Sequence, residues 1–127
     1  MSDDLIPDEL RDFILKHFDS IAQLEALLLL RTDAHVYWSP DQLAKRLYID
    51  ATQASAILAQ HCSHGFFVCT DAGYRFQCDN DAKQRIVDLL AGIYSRHIVP
   101  VTNIVHSKPP RIQEFADAFR LKKDKGA

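Results

Sequence analysis

The five His and Cys residues between positions 61 and 78 carry side chains that bind metals or act as nucleophiles: His61, Cys62, His64, Cys69 and Cys78. A zinc site needs four such ligands converging, usually supplied in short paired spacings. The chain has no Cys-x-x-Cys pair. His61 and Cys62, as successive residues of a helix, would point about 100° apart. No metal is therefore expected, and the three cysteines are expected to pack as small apolar side chains. Cys69 and Cys78 fall on paired strands but face each other in neither of two hairpin registers. With Asp71-Ala72-Gly73 as the loop Cys69 faces Arg75, and with Ala72-Gly73 it faces Phe76, so a disulfide between them is not expected. A cysteine or serine nucleophile would need a base and an orienting group close by. His17, His35, His97 and His106 are scattered, and the four glycines form no phosphate-cradling cluster. The residues point to no catalytic site, no enzyme and no cofactor.

The elements that would position these residues are legible from hydrophobic spacing and cap signals. Pro7, followed by Asp8 and Glu9, opens a helix over 8–18 with Leu10, Phe13, Ile14 and Phe18 on its apolar side. Ser20 caps a second helix over 20–32, apolar most of the way round and therefore central. His35-Val36-Tyr37-Trp38 is a short β-prone stretch. Ser39-Pro40-Asp41-Gln42 then starts a helix over 40–47, with a capping box available between Ser39 and Gln42. Asp50 caps a helix over 51–63 whose inward side is Ala54, Ile57, Leu58 and His61. Strands over 66–70 and 74–78 form a hairpin across a short Gly-containing loop. Asp79, Asn80 and Asp81 then start a long helix over 81–105, with Pro100 kinking or interrupting it. Lys108-Pro109-Pro110 breaks it, and a last amphipathic helix runs over 110–122. The fold class is mainly α with a small β-hairpin, in one domain spanning 1–127.

A strand, two short helices joined by a tight turn, and a hairpin are the parts of a winged helix-turn-helix, and 37–78 supplies them in order. The chain resembles the winged-helix proteins of bacteria. The resemblance is carried by Ser39-Pro40-Asp41-Gln42-Leu43-Ala44-Lys45-Arg46-Leu47, by Gly65-Phe66-Phe67-Val68 and by Gly73-Tyr74-Arg75-Phe76. It covers about a third of the chain. The tail from His106 to Leu121 is similar to the end of small bacterial winged-helix proteins labelled as regulators. The resemblance implies a winged-helix core with additional N-terminal and C-terminal helices, working in transcriptional regulation. Helix 51–63 would be the recognition helix and 71–73 the wing tip.

On that reading double-stranded DNA would meet Thr52, Gln53, Ala56 and Gln60 of the recognition helix. Gln53 and Gln60 are able to read adenine, and Lys45, Arg46 and Arg75 to touch phosphate. The charge pattern pulls the other way. No Lys or Arg occurs from Leu47 to Val68, and the wing tip carries Asp71. Phosphate contacts supply most non-specific DNA affinity. The outward stripe of Thr52, Ala56, Ala59 and Ser63 is equally suited to close packing against another protein. The alternative is thus a protein–protein interaction module with little or no DNA binding.

The formal charge is −2 with 47% hydrophobic and 25% charged residues, so the chain is neither a generally basic nucleic-acid binder nor disordered. Charge is uneven, with residues 1–50 acidic and 108–127 basic. Helix 81–105 carries more apolar surface than a winged-helix core can cover. It either packs on Leu10 to Leu30 of its own chain or pairs with a second copy. In the second case Ile86, Leu90, Ile93 and Tyr94, with Phe115 and Phe119 of the tail, form a homodimer interface. The longest apolar run, Ala26 to Leu30, is far too short for a membrane span. The acidic start and the odd number of cysteines fit a reduced, cytoplasmic protein.

Overall fold

The computed structural model describes residues 6–107. Among these, six helices and one two-stranded antiparallel sheet follow in the order α1 (Asp8–His17), α2 (Ile21–Thr32), α3 (Pro40–Leu47), α4 (Ala51–Ser63), β1 (Phe67–Thr70), β2 (Gly73–Phe76), α5 (Asp81–Arg96) and α6 (Ile98–Ser107). The expected helix over 110–122, with Phe115 and Phe119, lies outside the described residues.

Four helix starts are set by the local chemistry read above. The Ser20 hydroxyl accepts from the Gln23 amide at 3.3 Å. Ser39 and Gln42 close the capping box, with bonds of 3.2 and 2.9 Å. The Asp50 and Asn80 side chains accept from the amides of Gln53 and Lys83 at 2.7 and 2.8 Å. Each satisfies a donor the first helical turn cannot bond internally.

α1 packs against α5 and α6, while α2 packs against α3, α4 and β2. Leu10, Ile14, Phe18, Leu24, Leu27, Leu30, Leu58, Phe66 and Leu90 are completely buried and join the two groups into one core. The long helix therefore packs on its own chain. Leu90 and Ile93, offered above as dimer contacts, belong to this core, which removes them from any interface with a second copy. Ile86 and Tyr94 are half-buried at its edge, and the Tyr94 hydroxyl donates to Glu25 of α2 at 3.0 Å.

Two details differ from the sequence reading. The interruption expected at Pro100 falls three residues earlier, so that 81–105 is two helices, because His97 leaves the α region at φ −134° and ψ 58°. Pro100 then occupies the first turn of α6, where its missing N–H costs nothing; an unbroken helix would require that donor. The hairpin adopts neither expected register. Cys69 pairs with Tyr74 and Thr70 with Gly73, leaving a loop of Asp71-Ala72. A third segment selects this register. Trp38 forms an antiparallel bridge to Tyr74, with N···O distances of 2.7 and 2.9 Å. Gly73, at φ +127°, passes so close to Trp38 that a Cβ there would lie 2.8 Å from its carbonyl oxygen.

Candidate functional site

α3, the turn at 48–50 and α4 present one outward surface. Leu43 and Ala44 of α3, and Ala54, Ile57, Leu58 and His61 of α4, face the core as the spacing requires. Thr52, Gln53, Ser55, Ala56, Ala59 and Ser63 are exposed on the opposite side of α4. Lys45 and Arg46 are exposed on the last turn of α3. The turn between the two helices is made by Tyr48 in the left-handed conformation, φ 58° and ψ 45°. That region is unfavourable for a bulky L-residue. Tyr48 is also 95% exposed, so no burial of its ring offsets the strain.

Other expected site residues are held by neighbours. Gln60 is half-buried, and its side-chain carbonyl accepts from the Gln23 amide group at 2.9 Å. Its own amide nitrogen makes no hydrogen bond among the described residues and is left for an outside contact. Arg75 does not project from the hairpin tip. Its Nε donates to the Tyr37 hydroxyl at 3.2 Å, and the guanidinium lies 5.7 Å from that ring's centre. The hydrogen bond and charge of Arg75 lower the Tyr37 pKa. Arg46 stacks similarly over Trp38 at 5.6 Å.

The histidines lie together with aromatic rings. His61 is completely buried, and its Nε2 stands 2.7 Å from the Gln23 carbonyl. Nε2 is therefore the protonated nitrogen and donates. Nδ1 is buried without a partner, so it carries the lone pair. Burial pushes the His61 pKa down to about 4, because a charged ring would leave water for a site able to satisfy one N–H only. His17 and His64 meet Nδ1 to Nδ1 at 3.3 Å beside Phe66. Among the described residues no group of three or more His, Cys, Asp or Glu could hold a metal ion. Cys62 and Cys78 are half-buried, but Cys69 is exposed rather than packed in the core. Its strand is only partly covered, which a buried/exposed alternation read without the register does not reveal.

The surface brings together Thr52, Gln53 and Ala56 on α4 with Lys45 and Arg46 beside them on α3, and sets Arg75 against Tyr37. Sequence reasoning missed Tyr48. The available signal was a tight turn between two capped helices with neither Gly nor Asn in it, which forces an ordinary residue into the left-handed region. It also missed the pairing of Trp38 with Arg46 and of Tyr37 with Arg75, the second of which joins residues distant in sequence. Among the described residues no helix is long and apolar enough to cross a membrane. No family model matches the chain, nor does any curated protein or solved structure.

Proposed function

We propose that residues 21–76 form a winged helix-turn-helix and that the protein is a non-enzymatic regulator whose α4 surface docks on another protein. The order α2, bridge at Trp38, α3, α4 and hairpin supports the winged-helix part. The observation that carries the function is the outward face of α4. It is exposed, built from small neutral side chains, and preceded by an exposed tyrosine, Tyr48, in a strained turn. Small side chains admit close approach of a partner's backbone. Tyrosine is among the residues that most often anchor protein interfaces, and strained backbone persists where function uses it.

A second reading, double-stranded DNA as the partner, is favoured by Lys45 and Arg46. Both are exposed at the end of α3, next to the exposed Gln53. One experiment separates the two. Mobility-shift titration on mixed duplex DNA across salt concentrations should show little binding at low salt if the surface is a protein contact. Steep salt dependence, flattened by Lys45→Ala or Arg46→Ala, would establish DNA instead. Ala56→Arg should leave the fold intact because Ala56 faces outward. It should abolish a protein contact by overfilling it.

A further inference from the structure

We propose that the cleft between the end of α2, strand β2 and α5 binds a small molecule through a carboxylate or phosphate group gripped by Arg31 and Arg75. The cleft measures about 520 Å³ and is lined by Arg31, His35, Arg75, Gln84 and Asp88 among others. That is within the usual range for small-molecule sites, roughly 300–1,000 Å³.

The two guanidinium groups are oriented in the same manner. Arg31 donates through Nε to the Asp88 carboxylate at 2.9 Å, and Gln84 holds the same Asp88 oxygen at 3.0 Å. Arg75 donates through Nε to the Tyr37 hydroxyl at 3.2 Å. Each Nε is thus used as an anchor. The terminal Nη donors of both arginines make no other hydrogen bond among the described residues. An arginine fork recognises carboxylate and phosphate through paired donors in one plane. Here two forks are held in advance, so an arriving anion spends little free energy on ordering them.

The charge balance also suits an anion. Asp88 offsets Arg31, whereas Arg75 makes no ion pair among the described residues and lies against the neutral phenol of Tyr37. The remaining acidic candidate on the wall, Cys78, keeps its proton at neutral pH because burial pushes its thiol up to about 11. The walls come from three elements, so a bound anion would tie the hairpin to α2 and α5. The surface is concave, which fits a small molecule rather than a duplex backbone.

The proposal does not rest on the α4 contact. Full-length protein labelled with nitrogen-15 is titrated with inorganic phosphate and, separately, with succinate, each at constant ionic strength against chloride. The arginine Nε–H signals report the site directly. Saturable shifts at Arg31 and Arg75 are expected with at least one anion, and the anion that saturates identifies the group recognised. Arg75→Lys and Arg31→Lys each keep the charge and lose the fork. Each should weaken binding about tenfold or more, with thermal melts confirming that the variants fold. Ala56→Arg should leave anion affinity unchanged. Shifts that fail to saturate with either anion, or lysine variants that bind as tightly as the unmodified protein, would overturn the proposal.

Discussion

Replacing His61 by Gln should remove most of one identifiable component of acid sensitivity. The His61 ring is completely buried, donates from Nε2 to the Gln23 carbonyl and has nothing to receive a second N–H at Nδ1. Its pKa falls from 6.5 to about 4 on folding, chiefly through burial, with His64 and His17 adding repulsion and the Gln23 carbonyl opposing. Lys83, a further cation near this cluster, sits over Phe66 and bonds the His64 carbonyl. Between these two values the unfolded chain binds a proton that the folded chain refuses. Stability therefore rises with pH across the window, with a slope approaching 1.4 kcal/mol per unit, roughly the value of one proton. It is fully present above pH 6.5 and lost as pH falls towards 4. From pH 7.5 to 4.5 this single group should cost about 2–3 kcal/mol. Glutamine carries an amide nitrogen near the Nε2 position and does not titrate. Urea denaturation of both proteins at several pH values gives the difference in unfolding free energy. That difference should shrink by about 2–3 kcal/mol towards acid. Parallel pH curves for the two proteins would refute the reasoning, whatever constant offset separates them.

Tyr48→Gly should stabilise the protein by about 1 kcal/mol, since it relieves a left-handed tyrosine whose ring packs on nothing. Urea midpoints read the gain, and a loss of stability would show that the ring has a folding role. Gly73→Ala should destabilise by about 1–3 kcal/mol because of φ +127° and the 2.8 Å approach to the Trp38 oxygen. A midpoint equal to that of the unmodified protein would mean that the hairpin is not clamped there. Self-association is expected through Ile98 and Val99, which are 53% and 66% exposed, in place of the buried Leu90 and Ile93. Light scattering should show a dimer that Val99→Glu converts to monomer, and a monomer before substitution would exclude the pairing.

Element types were legible because they depend on neighbours in sequence. Ser20, Ser39, Asp50 and Asn80 cap the helix that starts at the next residue, and the Ala54, Ile57, Leu58 and His61 stripe follows from helical spacing alone. The candidate surface of α4 was legible for the same reason, since a side opposite a buried stripe is outward by geometry. Partners across the fold were not legible. The register of the hairpin depends on Trp38, more than thirty residues away in sequence from the strand it bridges. The ends of Gln60 and Arg75 were free in the sequence reading and are bound to Gln23 and Tyr37 in the fold.

By itself the sequence determined the helices, their caps, the existence of the hairpin and the neutral character of α4. Each is decided by interactions within about four residues, or by residue type alone. Only the tertiary structure decided that α5 buries Leu90 and Ile93 against its own chain, and that Arg31 and Arg75 line one cleft. An amphipathic helix is equally complementary to its own chain or to another copy. A guanidinium is equally soluble at any exposed position. Choosing among such alternatives takes the three-dimensional placement of α1, α2 and Tyr37, which no local spacing encodes.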